Sequence, residues 1–202
     1  MKPSRGIAKR SIAWLVMAIT VAVLVSSARA DEKKKEEKKK TEIFSAVAYA
    51  QSGGLGGKPV QMTFYIERYS DDAEIQELVN ALHSKGQDGL LDAVEKLKDK
   101  GRMAPLRGVG TGVQVIRQRP LKDGGRRITF VTDRAITFYE QRSMTRSQDY
   151  PFVIASFDLN AKGEGQGTML LATKVKFTKD KQIELEHYGT SPMRLGSVRR
   201  MD

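Results

Sequence analysis

From residue 43 onward, apolar and polar positions alternate at period two, change briefly to a helical period, and then return to two. Ile43 to Gln51 and Pro59 to Tyr69 are predicted strands, joined by the glycine-rich Ser52-Gly53-Gly54-Leu55-Gly56-Gly57. In the second strand Val60, Met62, Phe64 and Ile66 share one face, against Gln61, Thr63, Tyr65 and Glu67 on the other. Asp71 followed by Glu74 has the spacing of a capping box. Ile75, Leu78, Val79 and Leu82 then recur as one helical stripe, which Gly86 closes. A second helix is predicted from Asp88 to Lys100, with Leu90, Leu91, Val94 and Leu97 as its apolar stripe, late lysines suiting its C-terminal dipole, and Gly101 as its stop. Two short helices with apolar stripes predict an antiparallel helical hairpin laid on a sheet.

After Pro105 the period is two throughout. Predicted strands run over Val109–Arg119, Arg126–Arg134, Ile136–Glu140, Phe152–Leu159, Gly167–Thr178 and Gln182–Tyr188, with a last short one ending near Arg199. Turn residues separate them at Asp123-Gly124-Gly125, Asn160-Ala161-Lys162-Gly163 and Lys179-Asp180-Lys181. The expected fold is α+β: a curved, mostly antiparallel sheet of about seven or eight strands, with the helical hairpin inserted after the second. Open edges invite aggregation, so the sheet is expected to be strongly curved or closed toward a barrel.

The residues before 43 read differently. Lys2, Arg5, Lys9 and Arg10 precede an uncharged apolar run from Ile12 to Val25, and Ala28 and Ala30 stand where a signal peptidase reads small side chains. The run is shorter than the roughly 20 residues that cross a bilayer. Residues 1–30 are therefore expected to be a cleavable secretory signal, and the protein to be periplasmic or secreted, with no membrane span after cleavage. Residues 31–42, DEKKKEEKKKTE, read as a charged low-complexity spacer, and residues 43–202 as one domain. The formal charge is +11; five of the 35 basic residues and none of the 24 acids lie in the leader, so the remainder carries +6. Much of the basicity thus belongs to translocation, and the remaining cations are scattered, so nucleic acid is not an expected partner. The absence of cysteine excludes disulfides, thiol catalysis and thiolate metal sites.

Few constellations suggest chemistry. His187 follows Glu184 and Glu186, but strand alternation puts both carboxylates on the face opposite the imidazole, and His83 belongs to a distant helix. A zinc ion needs three or four converging ligands, so neither metal nor cofactor is expected. Asp158-Leu-Asn160-Ala-Lys162-Gly163 has a lysine where a calcium loop needs an oxygen, and reads as a strand turn. Gly108, Gly110 and Gly112 lead into a strand instead of opening a helix, which leaves no amides aimed at a phosphate. The densest polar segment lies around Arg126 to Arg134. Arg127, Thr129, Val131 and Asp133 share one strand face, and Arg126, Ile128, Phe130, Thr132 and Arg134 the other. Arg126, Arg127, Asp133, Arg134 and Glu140 are the candidate ligand-binding residues, since arginines beside a cleft hold acidic groups through paired hydrogen bonds.

At Asp123-Gly-Gly-Arg-Arg-Ile, Thr132-Asp133-Arg134, Asp149-Tyr150-Pro151-Phe152 and Gly163-Glu-Gly-Gln-Gly, the chain resembles a group of exported bacterial proteins of unknown function. Those also place a two-helix segment like Asp71 to Gly101 before the strands, and close on something like Ser191-Pro-Met-Arg-Leu-Gly-Ser-Val-Arg. The resemblance covers about residues 43–200 and implies a discrete, recurring domain, but no activity or site residue. The expected function is a non-enzymatic envelope module that binds a ligand or protein there, or acts structurally. One alternative is a small-ligand carrier with a lipocalin-like cavity, left open beside the small residues Ala46, Ala48 and Ala50. Another is a hydrolase with a site around Asp133, Glu140, Arg127 and His187.

Overall fold

Alternation along the strands resolves into one sheet with an inner and an outer face. The computed structural model describes residues 41–49, 58–134, 149–178, 182–188 and 192–201. They form β1 (Glu42–Tyr49), β2 (Val60–Ile66), α1 (Asp72–Glu95), β3 (Gly101–Pro105), β4 (Thr111–Val113), β5 (Val115–Pro120), β6 (Arg126–Asp133), β7 (Phe152–Leu159), β8 (Glu164–Phe177), β9 (Ile183–His187) and β10 (Met193–Met201). The expected leader, the charged stretch up to residue 40, the glycine-rich loop and the strand expected at Ile136–Glu140 lie outside the described residues. Glu42, assigned by composition to the spacer, is the first residue of β1.

Strand order is β4-β3-β2-β1-β10-β8-β7-β6-β5, with β9 paired to the far half of β8. The described sheet thus has ten strands where about seven or eight are predicted. Its two ends, β4 and β5, are consecutive in the chain and separated only by Gln114. The strand predicted over Val109–Arg119 is therefore split. Its first part pairs with β3 and its second with β6, while the Thr132 hydroxyl donates to the Gly112 carbonyl at 2.8 Å across the seam. The sheet is nearly closed and barrel-like, with the chain itself bridging its edges.

The inner face carries the main core. Phe44, Phe64, Phe130 and Phe157 meet there with ring centroids 5.2–5.5 Å apart, in the tilted and edge-on arrangements that aromatic quadrupoles favour. A second cluster lies outside, where Leu78, Leu82, Leu90 and Val94 of α1 cover Val115, Phe152, Ile154 and Val175. Each such side chain contributes roughly 1.5–3 kcal/mol by leaving water.

The hairpin of two helices is corrected. α1 is a single helical element that changes direction at Gly86, whose φ of 65° and ψ of −153° are non-helical. A glycine adopts that conformation without steric penalty, so the direction changes at one residue with no intervening loop. The next residue fixes the bend: Gln87 donates to the Asp149 carbonyl at 2.9 Å and accepts from the Val175 amide at 3.1 Å. The helix also ends at Glu95, short of the predicted Lys100. The capping box forms as its spacing predicts, with Asp71 accepting from the Glu74 amide and Glu74 from the Asp71 amide.

Candidate functional site

The aromatic cluster fills only part of the interior. Toward the end of the barrel where β1, β3 and β6 finish and β2, β7 and β10 begin, the inward residues of β1 are Ala46 and Ala48, both buried and too short to reach the barrel axis. An apolar pocket of about 310 Å³ opens at this end. Its lining includes Met62 of β2, Met103 of β3, Met169 and Leu171 of β8, Met193 of β10 and Val153 of β7. Met169 and Met193 are direct cross-strand partners, while Met62 and Met103 lie diagonal to one another on β2 and β3. Thr132 also lines the pocket, but its hydroxyl is already committed to Gly112 across the seam. Leu171 in the lining is 40% exposed, and Val60 and Pro105 add further apolar surface.

Methionine suits such a wall. It is unbranched and polarizable, and it reshapes around whatever enters. Among the described residues the pocket lining contains no acid or base and is mostly apolar.

The predicted site residues are distributed along and across β6. Arg126 shares the inward face of β6 with Ile128, Phe130 and Thr132, at the end opposite the pocket. There it donates to Glu42 at 2.5 Å and to Gln118 at 2.6 Å, and its guanidinium lies 5.6 Å from the centre of the Phe44 ring. Tyr69 donates to the same Glu42 carboxylate at 2.9 Å. Burial alone would raise the Glu42 pKa, but hydrogen bonds from Arg126 and Tyr69 together with the Arg126 and Arg200 charges outweigh it and hold the carboxyl below its usual range. Burial, aided by the Glu42 charge, pushes the Tyr69 phenol well above its ordinary value. This polar group stands at one end of the barrel, where Glu42 and Arg126 also line a recess with Lys162 and Arg200.

Arg127 points outward and forks onto Asp158, with nitrogen–oxygen distances of 2.6 and 2.8 Å. That hydrogen-bonded pair lowers the Asp158 pKa. Asp133 is six residues along β6 from Arg127, about 20 Å at the rise of a strand. Arg134 donates from its side chain to the Tyr150 carbonyl at 3.1 Å, and Glu140 lies outside the described residues. His187 sits on β9 opposite Thr173, and His83 stacks on Phe177 at 4.0 Å. The four predicted residues that are described do not converge on one site: Arg126 lines a recess with Glu42 and Arg200, and Arg127 lines a groove on the outer face.

No family model, curated protein or solved structure matches the chain. The functional reading therefore rests on the pocket and the surfaces around it. The four methionines were not singled out as a group in the sequence, since each occupies an ordinary inward strand position. The signal that would have found them is their location: each lies close to the same end of the barrel, beside the short alanines of β1.

Proposed function

We propose that this protein is a non-enzymatic binding module, exported from a bacterial cell, whose barrel mouth receives a small and mostly apolar ligand. One observation carries the reading: four methionines from four strands line an apolar pocket at one end of a barrel whose other end carries the Arg126–Glu42 ion pair. A volume of about 310 Å³ stands at the small end of the ~300–1,000 Å³ range of ligand pockets. That size suits a compact apolar molecule or the end of a longer acyl chain.

Export is supported by the leader-like pattern of residues 1–30. Among the described residues no helix is long and apolar enough to cross a membrane. The hydrolase alternative lacks support, because Asp133 stands about 20 Å from Arg127 along β6 and three strands from His187, about 14 Å at ~4.8 Å per strand.

The test is a fluorescence titration with N-phenyl-1-naphthylamine, an apolar probe that brightens on leaving water. Saturable uptake is expected in the purified protein. Met193→Phe, which fills the pocket, and Leu171→Glu, which charges its rim, are each expected to weaken uptake about tenfold or more, the equivalent of about 1.4 kcal/mol. Uptake that is unchanged in both variants would refute the assignment.

A further inference from the structure

The outer face of the barrel divides into two halves. Under α1 it is apolar, with Phe152 and Ile154 on β7. Further along the same strand, the outward positions become Ser156 and Asp158, and α1 no longer covers them. Strand pairing aligns the uncovered half into a polar row. Thr129 pairs with Ser156, Ser156 with Thr168, Thr168 with Arg194, and Arg194 with Tyr49. The row crosses β6, β7, β8, β10 and β1, a span of about 19 Å at ~4.8 Å per strand. Beside it runs a second row, Arg127, Asp158 and Gln166. Apart from Thr129, the residues of both rows line an open groove of about 970 Å³, the largest of the described pockets.

Three features of this groove point to one ligand chemistry. Tyr49, 43% exposed, lays its ring over Gly196, where a Cβ would come within 3.2 Å of the ring. The lack of a side chain at Gly196 therefore leaves room for the tyrosine ring against the sheet. Hydroxyls and an amide at strand spacing supply repeated donors and acceptors. Arg194 is exposed and has no acidic partner among the described residues, so the lining carries two guanidiniums against one carboxylate.

We propose that this groove is a binding site for a carboxylate-bearing polysaccharide chain. A sugar ring offers a C–H-rich face to Tyr49 and hydroxyls at its edge to Ser156, Thr168 and Gln166. Its carboxylate meets Arg194 in a paired, charge-assisted geometry. The site is separate from the methionine pocket and does not depend on it. A nucleic acid fits less well, since its binding draws on several cations and stacking platforms, and among the described residues this groove has one arginine without an acidic partner and one exposed aromatic ring, Tyr49.

The experiment is affinity electrophoresis of the purified protein through gels containing polygalacturonate or, in parallel, neutral dextran. Retardation in polygalacturonate that weakens with added salt is expected, with little retardation in dextran. Arg194→Gln and Tyr49→Ala should each weaken the apparent affinity about tenfold. Arg102→Gln, an equal loss of charge on β3, should leave it within about twofold, as should Met193→Phe in the pocket. Gly196→Val, which displaces the tyrosine ring, should behave like Tyr49→Ala. No retardation, equal retardation in both polymers, or an equal loss from Arg102→Gln and Arg194→Gln would overturn the proposal.

Discussion

Lys100 is fully buried, and its ammonium lies 3.1 Å from Glu74 at the start of α1. The same ammonium donates to the Gln114 carbonyl at 2.9 Å, at the point where β4 passes into β5. One side chain thus ties the helix to the barrel seam, while Glu74 also completes the capping box. Lys100→Met should destabilise the protein by about 2 kcal/mol, less than the ~3–5 kcal/mol of breaking a fully buried pair, because Glu74 keeps partial access to water. Glu74→Gln should cost more, about 3 kcal/mol, because the ammonium it leaves without a carboxylate is fully buried. The double variant should cost less than the two single changes together, as coupled partners do. Urea unfolding of the four proteins measures this, and strict additivity would contradict the coupling.

The bend in α1 depends on the positive φ of Gly86. Any side chain there is strained in the left-handed region, so Gly86→Ala should lose about 1–2 kcal/mol and lower the thermal midpoint. There is open space around the position, so a loss reports backbone conformation and not a clash. A neutral or stabilising result would show that the element runs straight through residue 86.

Much of the barrel was visible in the sequence because one face of each strand is buried. On β6, alternation alone puts Ile128, Phe130 and Thr132 together, and all three are fully buried on the inner face. The Asp71–Glu74 spacing likewise identifies a helix start that forms as expected. What stayed hidden depends on partners distant in the chain. β3 is five residues long and includes a glycine and a proline, so its strand character comes from pairing with β2 and β4. Lys100 reads as a helix-end lysine, and only the fold reveals the carboxylate and carbonyl that hold it inside. Arg126 and Arg127 differ by a single position, yet alternation sends one inward to Glu42 and the other to the outer groove.

A positive φ of 50° at Ser197 marks the irregularity where β10 shifts register against both β1 and β8. Serine is strained in that conformation and glycine is not. Ser197→Gly should raise stability by up to about 1 kcal/mol, read from the urea midpoint at constant slope. A clear loss of stability would mean that the serine side chain makes a contribution larger than its backbone strain.

The Glu42 carboxyl gives the barrel floor a pH signature. Its folded pKa lies below the ordinary value of 4.5, so its stabilising contribution is fully present above that value and is lost as pH falls through the depressed folded one. Unfolding free energy should therefore fall more steeply with acid below about pH 4.5 in the parent protein than in Glu42→Gln. Arg126→Leu should remove the same acid sensitivity while also lowering stability at neutral pH, because it leaves Glu42 without its ion-pair partner. Denaturant titrations at a series of pH values decide this, and parallel pH profiles for parent and Glu42→Gln would contradict it.

The methionine-lined mouth is the central claim, and methyl NMR addresses it residue by residue. Protein labelled at the methionine methyl groups is titrated with N-phenyl-1-naphthylamine, each signal having been assigned by substitution. The signals of Met62, Met103, Met169 and Met193 should shift together and saturate at one equivalent, while that of Met201, on the far end of β10, stays in place. If those four signals remain fixed while the probe is bound, or if Met201 moves as much as they do, the barrel mouth is not the binding site.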